Sequence, residues 1–132
     1  MRSLALVLAM LAIVVGSACG GAAAPSPSAS PTPIPGAVLI TRASDRGTVH
    51  ARVGDAIQVV LGTEYVWRLD PPDGVVLVRG PQRELVRGTQ AIWTAAAAGT
   101  ATVTATGTVI CPSGQACIQI ALLFTTTVVV AP

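Results

Sequence analysis

Cys111 and Cys117 lie six residues apart, with Pro112, Ser113, Gly114, Gln115 and Ala116 between them. Thiols at that spacing close a disulfide or contribute to a metal site. Structural zinc takes four nitrogen or sulfur ligands, and His50 is the only imidazole in the chain, so no metal is expected. Hydrolytic chemistry is equally short of parts. The domain's serines, Ser44 and Ser113, sit in no Gly-x-Ser-x-Gly elbow, and His50 alternates with Arg52 as a solvated strand residue would. Glu64, Asp70 and Asp73 are carboxylates that could gather round calcium, but Pro71-Pro72-Asp73-Gly74 reads more simply as a turn. There is no glycine-rich phosphate loop, so no cofactor is expected, and the chain does not read as an enzyme. Arg79, Arg83 and Arg87 recur every four residues beside Gln82 and Glu84, in a segment bounded by Gly80, Pro81 and Gly88. They form either a solvated loop or a rim that meets an acidic partner. Trp67 and Trp93, at alternating positions in strand-like runs, read as core.

The elements that must position these residues follow from the whole chain. Its 132 residues are 52% hydrophobic, 11% charged and 3% aromatic, which suits one compact domain. The formal charge of +2 comes from eight Arg and no Lys, without runs, and leaves no electrostatic footprint for nucleic acid.

At the N-terminus, Met1-Arg2-Ser3 precedes an apolar run of twelve, Leu4 to Val15, and then Gly16-Ser17-Ala18. That order of charge, apolar stretch and small residues is a secretory signal, and twelve residues fall short of the ~20 that span a bilayer. Val15-Gly16-Ser17-Ala18-Cys19 resembles the lipobox of bacterial lipoproteins, with Gly16 where the pattern carries Leu. The resemblance implies a diacylglycerol thioether on Cys19 and cleavage behind Ala18. A membrane-anchored, extracytoplasmic protein is therefore expected. Residues 20–36 hold five prolines among Ser, Thr, Ala and Gly and read as an extended spacer. The expected organisation is a signal peptide over 1–18, lipidated cysteine and linker over 19–36, and a domain over 37–132. With Cys19 lipidated, Cys111 and Cys117 are the one pair left, and outside the cytoplasm a disulfide is the default.

From Ala37 onward the pattern has period two. Val49, Ala51 and Val53 share a face opposite Thr48, His50 and Arg52, and Thr100 to Thr106 alternate throughout. Ile57, Val59 and Leu61, then Tyr65, Trp67 and Leu69, and finally Phe124, Thr126, Val128 and Val130, repeat it. Turn signals fall at Val53-Gly54-Asp55, Pro71 to Gly74, Arg79-Gly80-Pro81, Gly88-Thr89 and Ala98-Gly99-Thr100. The spacing predicts an all-β, immunoglobulin-like antiparallel sandwich of seven to eight strands. Ala95 to Ala98 favours helix but has room for one turn only.

Val53-Gly54-Asp55 before a strand, Tyr65-x-Trp67 in the next, and Ala98-Gly99-Thr100-Ala101-Thr102-Val103 late in the domain together resemble the chagasin-type inhibitors of papain-like cysteine proteases. The same late string also resembles bacterial immunoglobulin-like surface domains. The inhibitor resemblance implies three cleft-entering loops at one end. They correspond to Gly62-Thr63-Glu64, to Arg79 through Gly88, and to Ile110 through Gln115. The first lacks the family's Asn-Pro-Thr-Thr, and the third has Cys111-Pro112 in place of Arg-Pro-Trp. The main expectation is therefore an anchored binding or interaction module for an envelope or extracellular protein. A divergent protease inhibitor is the alternative. The candidate binding residues are Gly62, Thr63, Glu64, Arg79, Arg83, Arg87, Gly88, Pro112, Ser113, Gly114 and Gln115.

Overall fold

A computed structural model describes residues 32–81, 85 and 87–132. The expected signal segment, Cys19, most of the linker and Arg83 lie outside the described residues. Eight strands follow one another: β1 (Val38–Thr41), β2 (Thr48–Arg52), β3 (Ala56–Val60), β4 (Tyr65–Leu69), β5 (Leu77–Arg79), β6 (Thr89–Ala95), β7 (Gly99–Val109) and β8 (Ala121–Ala131). They form two four-stranded sheets, ordered β1-β3-β6-β5 and β2-β8-β7-β4. The all-β sandwich expected from the alternating pattern is present.

Alternation explains the core. Ile57, Val59, Leu77 and Trp93 from one sheet meet Val103, Phe124, Val128 and Val130 from the other, all buried. Every described strand and buried side chain lies within residues 32–132, and a chain from residue 20 keeps all of them. β3 is buried on its outer side as well. There Gln58 is 1% exposed, accepts the Ile34 N–H at 2.9 Å and donates to the Thr89 hydroxyl at 3.1 Å. A buried amide with both ends bonded carries little desolvation penalty, and here it seats the end of the linker on the domain.

Two features depart from the expectation. The sheets are mixed, because β1 pairs parallel with β3, and β2 pairs parallel with β8. Ala95 to Ala98 forms no helical turn. Ala95 closes β6, its N–H donates to the Asp55 carbonyl and the Ala96 N–H to the Val76 carbonyl, so bonds to neighbouring segments hold the backbone out of the helical conformation. A 3₁₀ turn lies instead at Arg42–Ser44.

The Pro-Asp-Gly turn between β4 and β5 works as its composition suggests. Asp73 Oδ1 accepts N–H bonds from Val75, Val76 and Leu77 at 2.7, 2.8 and 3.0 Å. Slight burial pushes its pKa up, but the N–H groups of Leu77, Val75 and Val76 together outweigh that and hold it below the ordinary 3.8. The folded value lies below the unfolded one, so the stability lent by the carboxylate is complete above the unfolded pKa and is lost as pH falls through the folded one. We expect melting temperature to fall below about pH 4, and Asp73→Asn to make that acid limb shallower while lowering the neutral plateau.

Candidate functional site

Strand register fixes which loops share an end. Val60, the last residue of β3, is opposite Thr89, the first of β6, and Tyr65, the first of β4, is opposite Val109, the last of β7. The connections β3–β4 (residues 61–64), β5–β6 (80–88) and β7–β8 (110–120) therefore emerge together. The expected loop residues Gly62, Thr63, Glu64, Arg87, Gly88 and Pro112 to Gln115 lie on them, and Arg79 is the β5 residue that leads into the second. His50 is exposed on β2, away from this edge.

The first two loops are stitched to each other. A β-bulge makes Gln90 an extra residue, since Val59 pairs with Ala91 while Val60 pairs with Thr89. A bulge re-aims its side chain, and here the Gln90 carboxamide accepts the Leu61 N–H at 2.5 Å and donates to the Gly62 carbonyl at 2.8 Å. The Gly62 N–H donates to the Gly88 carbonyl at 3.3 Å. Gly62 has φ +87°, a conformation open to glycine at little cost.

The β1–β2 connection braces the first loop from the other side. Arg42 Nη1 donates to Glu64 Oε2 at 3.0 Å, and its guanidinium carbon lies 5.3 Å from the Tyr65 ring centre. Both partners of this ion pair are largely exposed, so it contributes at most about 1 kcal/mol. Its effect is to orient Glu64. Tyr65 meets Trp67 edge to face, with ring centres 5.8 Å apart. The Trp67 indole N–H is buried without a partner among the described residues, so the ring serves through its area rather than its donor. Sequence reasoning did not find Arg42 and Gln90. Each acts on residues more than twenty positions away, and no local pattern marks either.

The third loop is closed by the Cys111–Cys117 disulfide, whose Cα atoms are 5.9 Å apart. Within that ring Pro112, Ser113, Gly114 and Gln115 are all exposed. Arg79 and Arg87 are exposed on the flank of the second loop, and Arg79 lines a shallow cleft with Leu69, Asp70, Pro81 and Trp93.

No family model matches the chain, and no curated protein matches it by sequence. Solved structures do. The cysteine protease inhibitor EhICP2 from Entamoeba histolytica superposes with a TM-score of 0.53 over 71% of this chain and 94% of its own, at 17% identity. The two share a fold. Amebosin aligns over 72% of this chain and 98% of its own, with a TM-score of 0.44 and 17% identity. The sandwich implied by the resemblance to chagasin-type inhibitors is thus the architecture present.

Proposed function

We propose that this chain is a lipid-anchored, extracytoplasmic inhibitor of papain-type cysteine proteases, divergent in the residues that meet its target. The observation that carries the reading is the convergence of three loops at one end of a sandwich that shares its fold with a cysteine protease inhibitor. At this edge the first two loops are hydrogen-bonded through Gly62, Gly88 and Gln90, and the third is closed covalently. Such an edge blocks a cleft without chemistry of its own, since bound rigid loops exclude substrate. Pre-bonding lowers the ordering cost of association.

Because the first loop carries Gly62-Thr63-Glu64 and the third has no tryptophan, contacts with papain itself are expected to be weak, in the micromolar range. The protein's own target is expected to be bound more tightly. The test is a panel of papain-type proteases titrated with residues 20–132, each activated beforehand and freed of thiol so that the disulfide stays closed. Competitive inhibition of at least one member is expected, and a folded domain that inhibits none overturns the reading. Anchorage is supported by the charge, apolar run and Cys19 of the first nineteen residues. In cells, labelled palmitate is expected on the full chain and absent from Cys19→Ser, and a mature protein that starts at another residue contradicts it.

A further inference from the structure

The described residues expose ten large hydrophobic side chains, and six of them gather at one place. Val66, Val109, Ile110, Ile118, Ile120 and Leu123 occupy the start of β4 and the tip of the β7–β8 hairpin, with exposures from 38% to 76%. Register makes the surface continuous. Val66 is paired with Thr108 and Thr108 with Ala121, so these three form a row across the outer face, Leu123 lies two residues along β8, and the isoleucines stand beyond on the loop. No charged residue occurs from Gly88 to Pro132. Monomeric proteins seldom leave apolar surface contiguous unless something covers it.

We propose that the isoleucines of the disulfide-closed loop, Ile110, Ile118 and Ile120, are the principal anchors of this protein on its protease, and that the target cleft offers an uncharged, apolar recess to them. This rests on the inhibitor reading above and names the partner chemistry that the reading left open. Three observations choose a protease cleft over other occupants. The patch is continuous with the edge that the other two loops build. The loop is braced at its base by Cys111–Cys117, so its side chains are presented with less ordering cost on binding. The cations near the patch are too few for an anionic lipid surface, because Arg42 is paired with Glu64, Arg46 lies 3.8 Å from the Asp45 carboxylate, and Arg68, in register with Thr106 and Leu123 on the same outer face, adds a single charge rather than a basic cluster. Binding energy at interfaces concentrates in a few desolvated side chains. The most exposed of the loop's apolar groups, Ile118 at 76%, is the leading candidate.

The experiment uses residues 20–132 with Ile118→Ser, Ile120→Ser and the pair combined. Val75→Ser is the control, an equally exposed valine in the turn after β4, at the opposite end. Thermal melts and intact mass verify the fold and the closed disulfide, and exposed loop positions are expected to leave both unchanged. Against the protease inhibited in the panel, each isoleucine variant is expected to raise the inhibition constant by about tenfold and the pair by more, with Val75→Ser unchanged. Unchanged inhibition by the pair overturns this inference while the inhibitor reading stands. No inhibition by the unsubstituted chain overturns both. Two side measurements address other occupants: flotation with phosphatidylglycerol vesicles and sedimentation equilibrium of the chain alone. Vesicle binding or dimerisation that the isoleucine variants abolish, with inhibition intact, assigns the patch to lipid or to a second copy and overturns the proposal.

Discussion

Replacing Trp93 with alanine is expected to remove about 3–5 kcal/mol of stability, and so to bring the domain close to unfolding. Trp93 lies mid-strand in β6, 4% exposed, opposite Ile57 on β3 and Arg79 on β5. Its ring is the largest side chain of the buried core cluster, which it shares with Ile57, Val59, Leu77, Ala95, Ala105 and Phe124. Surrounding side chains relax only partly into such a void, so a cavity remains. A domain of this size has a total stability of about 5–15 kcal/mol, and each kcal/mol moves the melting temperature by several degrees. A fall of roughly 15 °C or more in a thermal melt is the expected readout, and a shift of only a few degrees would show that Trp93 is not the centre of the core. Trp93→Phe, which keeps most of the volume, is expected to cost far less.

The second large effect is expected at Gly107, where space and not backbone conformation is the constraint. A Cβ built there would lie 2.8, 2.9 and 3.0 Å from Cζ3, Cε3 and Cη2 of Trp67. Those atoms belong to a rigid ring on the paired strand, since Trp67 and Gly107 are direct partners in the β4–β7 ladder. Gly107→Val must therefore displace the indole or part the strands, at a cost of about 1–3 kcal/mol or more. The displacement would pass to Tyr65 and then to Arg42 and Glu64, so the first loop is expected to lose its set orientation together with stability. A double-mutant cycle checks the cause. In a Trp67→Ala background the same Gly107→Val change is expected to cost markedly less, with a coupling of the order of 1 kcal/mol. Equal costs in both backgrounds would place the strain elsewhere.

What the sequence disclosed and what it concealed divide along a physical line. The period-two runs at Thr48–Val53, Thr100–Thr106 and Phe124–Val130 are local records of one buried face, and each became a strand with the expected side inward, except that Val53 falls in the turn after β2 and is 45% exposed. The Val53-Gly54-Asp55 turn was legible for the same reason. Asp55 accepts the Arg52 N–H from three residues away at 2.8 Å, a bond set by local chemistry. Strand direction was not legible, because parallel pairing of β2 with β8 depends on residues about eighty positions apart. The candidate edge shows both cases. Glycine and proline marked the loops, whereas the Gln90 clasp depends on a bulge in β6, and bulges appear only when two strands are laid side by side. The exposed isoleucines are in plain view in the sequence, but Ile110, Ile118 and Ile120 could as easily have been core; only their exposure shows that they are not.

The place of β8 has a consequence for how the protein comes into being. In its sheet the last strand lies between β2 and β7, so the first strand of that layer has no neighbour until the final residues arrive. Thr48–Arg52 must wait for Thr127–Ala131, and the Val53 N–H for the Ala131 carbonyl. Contacts so distant along the chain form slowly, and a chain emerging end first cannot complete this layer early. In the secreted protein proposed above, the portion already translocated stays incomplete until β8 follows it. Loss of even the last five residues would leave β2 as an unpaired edge, open to pairing with another chain.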